Sequence, residues 1–254
     1  MKQIPNIFTL LNLIFGCLAI ICILQNGLTI SADESGSQLV VLPEKIFLAS
    51  VFIGCAGVID FLDGFVARLL KASSGIGKQL DSLADVVSFG VAPGLIVYQF
   101  LRLSYAQQED GLDISTWWLL PALLIPCAGA YRLARFSIDK EDSKNFKGLP
   151  IPAAGLLIAS FPLIYWHSSD AWLLQVMLNK WFWYVFIIVI SWLMISILPM
   201  MALKFKDYSI KNNLLKYCLL LISAALAGVL HWLAVPVIFV VYVALSLTFK
   251  PKQA

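Results

Sequence analysis

Apolar residues fall along this chain in long unbroken runs closed by short polar or charged clusters, without the strict alternation of a half-buried strand. Eight runs stand out, at about 6 to 26, 44 to 70, 80 to 103, 115 to 137, 149 to 167, 181 to 203, 212 to 229 and 231 to 249. Runs of about 18 to 25 residues are long enough for a helix to cross a hydrocarbon layer about 30 Å thick. The pattern predicts an all-α, polytopic integral membrane helix bundle of about eight transmembrane helices, a single domain over 1–254. The last two runs meet at His231 and read either as two crossings or as one kinked re-entrant pair.

Composition agrees with lipid as the main solvent: 60% of residues are hydrophobic and 13% charged. The first run lacks a small-residue cleavage site and carries Asn6, Thr9 and Asn12 in its first half, so it reads as a retained span and not as a secretory signal. The five cysteines all lie inside apolar runs, with no disulfide or zinc spacing. Charge alternates between connections. Asp33 and Glu34 are followed by Lys71 and Lys78, then by Glu109, Asp110 and Asp113, then by a largely basic stretch from Arg135 to Lys147. Lys204, Lys206, Lys211 and Lys216 form a further basic segment, and Lys250 and Lys252 mark the tail. Lysine and arginine collect in cytoplasmic loops, which places both termini and the basic connections in the cytoplasm. No soluble domain and no nucleic-acid partner are expected.

Within this apolar setting, Asp60-Phe-Leu-Asp63-Gly64-Phe-Val-Ala67-Arg68 is followed, eight residues on, by Gly77-Lys-Gln-Leu-Asp81-Ser-Leu-Ala-Asp85. A charge inside a span is costly, so intramembrane acids are functional suspects. Steps of three and four put Asp60, Asp63, Gly64 and Ala67 on one helix face, and Asp81 and Asp85 on one face of the next helix. The short link predicts direct antiparallel neighbours whose four acids converge on one pocket. Converging carboxylates repel unless a cation lies between them, and oxygen-only ligands suit Mg²⁺ or Mn²⁺. Two such ions suit a pyrophosphate substrate. The bland alternative is a buried polar network that only holds helices together.

The order Asp-x2-Asp-Gly-x2-Ala-Arg-x8-Gly-x3-Asp-x3-Asp resembles the signature of CDP-alcohol phosphatidyltransferases. Ile4-Pro5-Asn6-x2-Thr9-x2-Asn12, Ser88-Phe-Gly-Val-Ala-Pro93, Arg132-Leu-Ala-Arg135-Phe136 and Phe146-Lys147-Gly148-Leu-Pro150-Ile-Pro152 are similar to the serine-accepting branch of that family, although Ser137 stands where that branch often has Asn. The resemblance covers about the first 160 residues and implies a catalytic core over about 1–203, with additional C-terminal helices over about 212–249. It implies transfer of the phosphatidyl group of CDP-diacylglycerol to L-serine, with release of CMP. It further implies a dinuclear metal centre on Asp60, Asp63 and Asp81 with Asp85 near the second ion, Asp85 as general base, CDP contacts at Gly64, Ala67 and Gly77, and a homodimer. Glycerol 3-phosphate or inositol phosphate is the alternative acceptor, and an ion-coupled transporter the alternative class.

Other positions carry two readings each. Asn6 and Thr9, with Asn12, either face the nucleotide pocket or hydrogen-bond between helices. Arg68 either touches substrate phosphate or, as a cation at the span's end, pairs with a neighbouring acid or snorkels. Arg132, Arg135 and Lys147 are candidates for the lipid phosphate or the serine carboxylate, although the positive-inside rule alone puts cations there. Ser88, three residues past Asp85, is either an acceptor contact or a small packing residue. His167 and His231 fall at the opposite ends of their spans, away from the acids. Gly148, Pro150 and Pro152 shape the start of the fifth span, or their loop closes over substrate.

Overall fold

Lipid cannot satisfy free backbone N–H and C=O groups, so a chain this apolar closes its hydrogen bonds within helices. The computed structural model describes residues 4–32, 38–70, 74–108, 111–138, 146–168, 170–200 and 210–248. In chain order the helices are α1 (Ile4–Gln25), α2 (Phe47–Leu69), α3 (Gly75–Asp85), α4 (Ala92–Ala106), α5 (Leu124–Ile138), α6 (Ile151–His167), α7 (Ala171–Met177), α8 (Lys180–Ile195), α9 (Ile210–Leu230) and α10 (Ala234–Thr248). Two short antiparallel ribbons join them, β1 (Thr29–Ala32) with β2 (Gln38–Val41), and β3 (Phe146–Lys147) with β4 (Pro199–Met200). The fold is therefore all-α apart from these ribbons.

Among the described residues, four helical stretches are long and apolar enough to cross a membrane: Pro5–Gln25, Glu44–Leu69, Gly75–Ala106 and Tyr217–Leu247. The pair α7 and α8, bent by 68°, makes a fifth if taken as one broken span. Eight separate crossings are thus more than length and composition identify. One difference lies in the fourth run. The first half of the run at 115–137 forms 3-10 turns, the second of which holds Pro121, while Pro126 sits in the first turn of α5, where its missing N–H breaks no helical hydrogen bond; α5 is left with 15 residues or about 22 Å of helix. The last two runs form one helical stretch interrupted by a 3-10 turn at His231–Leu233, with His231 at φ +48.

The third run behaves differently again. Between α3 and α4 the helix widens into a π-helical segment, Val86–Val91, just before Ala92 and Pro93. Proline lacks an N–H and crowds the carbonyl four residues back, and local widening of the helix relieves both faults.

The bundle is organised around α1. Its buried positions are Pro5, Thr9, Asn12, Gly16, Ala19 and Ile23, a repeat of fours and threes that keeps one stripe facing inward. That stripe packs along α2 and against α3 and the π-helical segment. The sequence predicts α2 and α3 as direct neighbours; in the structure each packs chiefly on α1. Phe15 stacks on Phe52 at 6.2 Å between ring centroids. At Gly16 the backbones nearly touch, since a Cβ there would lie 2.8 Å from the Ser88 Cα. The same core continues to an aromatic cluster, where Trp183 is fully buried among Phe100, Phe161 and Phe182. Its indole N–H donates to the Met177 carbonyl at 2.7 Å, satisfying a C-terminal group of α7 and bracing the bend into α8. Gly16→Val forces these backbones apart and is expected to cost about 1–3 kcal/mol, read as a lowered thermal unfolding midpoint of the detergent-solubilised protein.

Candidate functional site

Two helix ends and one flanking helix build the acidic site. The helical period puts Asp60, Asp63, Gly64 and Ala67 on the last turns of α2, while Ser74 caps α3 by accepting the Gly77 N–H at 3.0 Å and so sets where Asp81 and Asp85 project. Carboxylate oxygens of Asp60, Asp63 and Asp81 all lie within 4.8 Å of one another. Asp63 and Asp85 are buried, each 7% exposed. Asp85 sits within electrostatic reach of Asp60, Asp81 and Asp63.

α1 supplies neutral donors to the two buried acids. The Thr9 hydroxyl donates to Asp63 Oδ2 at 3.0 Å. The Asn12 amide donates to Asp85 Oδ1 at 3.4 Å, while the Asn12 carbonyl oxygen of the backbone accepts from the Ser88 hydroxyl at 3.0 Å. Thr9 thus makes an interhelical hydrogen bond, and its partner is one of the clustered acids. Two ionised carboxylates 4.8 Å apart repel by about 3 kcal/mol even at an effective dielectric of about 20. Hydrogen bonds from neutral donors, about 1 kcal/mol each, offset only part of that. A cluster of carboxylate oxygens at this spacing fits a hard divalent cation.

Space around the acids is uneven. A Cβ on Gly64 would find nothing nearer than Arg68 Nη1 at 4.0 Å, so packing does not require glycine there. A Cβ on Gly77 would lie 2.8 Å from Asn6 Oδ1, so glycine at the start of α3 admits the Asn6 side chain. Ala67 is half-buried and Arg68 exposed at the end of α2.

The remaining candidates separate. Arg132 on α5 is buried, 6% exposed, with its Nε lacking a hydrogen-bond partner and with Asp85 and Tyr242 within electrostatic reach. Arg135 turns elsewhere: Nη1 donates to the Ile195 carbonyl at 2.8 Å and Nη2 to the Ser196 carbonyl at 3.1 Å, capping the C-terminus of α8. Beside it, Gly148 at φ +72 donates its N–H to the Leu198 carbonyl at 2.9 Å. Any Cβ there would lie 2.6 Å from the Met194 carbonyl oxygen, so this loop is pinned to the end of α8 and shapes the start of α6. Ser88 is fully buried at the α1 crossing, where its hydroxyl donates to the Asn12 carbonyl. The side chain of Lys147 lies outside the described residues, as do Lys71, Lys204, Lys206 and the tail lysines, and the side chains of Lys211 and Lys216. His167 contacts Trp232, at 6.4 Å between rings, at the end of α6 remote from Ile151.

Sequence reasoning missed three features. Asn12 as a partner of Asp85 was hinted at by its step of three from Thr9. The π-helical segment had Pro93 as its only signal. The approach of Tyr242, from α10, to Arg132 had none.

The family profile of CDP-alcohol phosphatidyltransferases matches residues 2–181. Archaetidylserine synthase of Methanothermobacter thermautotrophicus is 34% identical over 168 residues, 65% of this chain and 60% of that protein. The CDP-diacylglycerol–serine O-phosphatidyltransferase of Bacillus subtilis is 33% identical over 165 residues, 65% of this chain and 78% of its own. The Mycobacterium bovis protein of the same name is 30% identical over 234 residues, 87% of this chain and 75% of its own. The chain thus spans less than two thirds of the archaeal relative and about three quarters of the two bacterial ones.

Removing the α8 cap gives a local signature: Arg135→Ala is expected to raise amide hydrogen exchange in 193–198 and to cost about 1 kcal/mol, measured by exchange mass spectrometry and thermal melting.

Proposed function

Because the chain belongs to the CDP-alcohol phosphatidyltransferase family, we propose that it transfers the phosphatidyl group of CDP-diacylglycerol to the hydroxyl of L-serine, releasing CMP and forming phosphatidylserine. The observation that carries this reading is the meeting of three carboxylates within 4.8 Å at the ends of apolar helices. A lipid-linked nucleotide and a water-soluble alcohol can both reach that depth.

In this reading Asp60, Asp63 and Asp81, with Asp85 beside them, hold two Mg²⁺ or Mn²⁺ ions, which supply charge neutralisation of the pyrophosphate and of the departing phosphate. Asp85 accepts the serine hydroxyl proton as the serine oxygen bonds to the β-phosphorus; the bond from that phosphorus to the bridging oxygen breaks and CMP takes the electron pair. Asn12 holds one oxygen of Asp85, which orients the other. The open face at Gly64 and Ala67, the exposed Arg68, and the Asn6 and Gly77 contact with Thr9 behind it form the nucleotide side. Arg132 brings a buried, incompletely bonded guanidinium to the acceptor side, suited to the serine carboxylate or the lipid phosphate. Lys147 is proposed as a second cation from the adjoining loop. Arg135 and Ser88, occupied at helix junctions, act by holding that side in place.

The acid end is assigned to the cytoplasmic face, with both termini there, because Arg68, Lys78, Arg132 and Arg135 gather near it. Eight crossings for the single domain then need α5 and α6 to complete their spans with flanking turns, and α9 and α10 to cross separately. The homodimer belongs to this proposal and is read from the mass of the solubilised protein.

Purified protein is expected to release CMP from CDP-diacylglycerol only with a divalent metal and L-serine, with glycerol 3-phosphate and inositol phosphate inactive as acceptors. Asp85→Asn should lower kcat by about 10²- to 10⁴-fold; unchanged turnover removes the base. Thr9→Val should weaken Mn²⁺ binding by about 10- to 100-fold, followed by the electron paramagnetic resonance of free Mn²⁺.

A further inference from the structure

α2 carries a second feature on a neighbouring face. Between α2 and α6 lies an apolar cavity of about 730 Å³, with Val58 and Ile59 at the end next to Asp60 and Ser50 and Val51 at the other. From Ser50 to Ile59 the groove follows α2 for about 14 Å. Gly54 lies midway with nothing within 4 Å of a Cβ built on it, so the absence of a side chain there keeps the groove open. Of its two hydroxyls, that of Ser160 is turned away, donating to the Leu157 carbonyl at 2.7 Å. The far end is bordered by Leu163 of α6 and by Trp232 and Val235. These last two belong to the C-terminal segment outside the stretch 2–181 that the family profile matches. Trp232 is held there against His167.

We propose that this groove seats one acyl chain of the nucleotide-linked lipid and that Trp232 is its end stop, a specificity-determining residue for chain length. The inference rests on the reaction proposed above. Continuity favours this occupant: a lipid whose diphosphate lies at Asp60 and Asp63 has its glycerol at the membrane end of α2, and Ile59 begins the groove directly beside it. Depth favours it too, since the groove lies within a stretch able to span a membrane. A hydrocarbon chain gains no hydrophobic energy on leaving bulk lipid for an apolar groove. The groove therefore discriminates by length and shape instead of adding affinity for every lipid.

The test is CMP release with L-serine and Mg²⁺ by the full chain in detergent, comparing kcat/KM for CDP-diacylglycerols with short and long acyl chains. Trp232→Ala is expected to raise the long-to-short ratio by roughly tenfold, and Gly54→Leu, which fills the middle of the groove, to lower it by roughly tenfold. A ratio that stays at the wild-type value in both variants overturns the inference. So does a changed oligomeric mass in Gly54→Leu with an unchanged ratio, which assigns the groove to a second copy of the chain. No CMP release by the wild-type protein with any chain length refutes the proposed reaction itself, a failure distinct from an unshifted ratio.

Discussion

Carboxylates held within 4.8 Å of one another at the ends of lipid-solvated helices are the constraint on which this structure turns. Each ionised pair repels by a few kcal/mol, and isolated acids at this depth would be cheaper replaced by apolar residues. The bundle instead brings a helix against them. α1 contributes Thr9 and Asn12 to the two most buried acids, and it reaches them because Gly16 lets its backbone lie against Ser88. The Ser88 hydroxyl then returns a bond to the backbone of Asn12. Packing and polarity on α1 are thus one arrangement: the stripe that buries Ala19 and Ile23 at one end presents hydrogen-bond donors at the other.

The side of the site built by α5 and α6 depends on a different junction. Arg135 and the Gly148 loop are both fastened to the end of α8, which leaves Arg132, one turn earlier on α5, as a buried guanidinium within electrostatic reach of Asp85. Tyr242 approaches the same arginine from α10. Helices that carry no motif therefore help form the surroundings of residues that do. α2 carries acids on one face and an apolar groove on the next, an arrangement that suits the proposed substrate, nucleotide at one end and hydrocarbon at the other.

Much of this was legible in the sequence. Continuous apolar runs fixed lipid as solvent and helix as the local structure, because backbone groups in lipid have no other partners. Spacings of three and four put Asp60 with Asp63, and Asp81 with Asp85, on common faces, because helical periodicity is local and independent of neighbours. Asn6, Thr9 and Asn12 already stood out as polar residues at helical spacing in an apolar run.

Tertiary structure alone decided which of those residues meet. Thr9 finds Asp63 across 54 positions and Asn12 finds Asp85 across 73, and no local period encodes a partner at that distance. Arg132 and Arg135 look alike in sequence yet one is buried with its Nε lacking a hydrogen-bond partner and the other caps a helix, because the end of α8 arrives beside only one of them. The number of crossings is likewise undecided by apolar length, since 3-10 turns and bends divide the same runs into shorter helices. Local pattern set the helices and their faces; the packing of α1, α8 and α10 set what those faces touch.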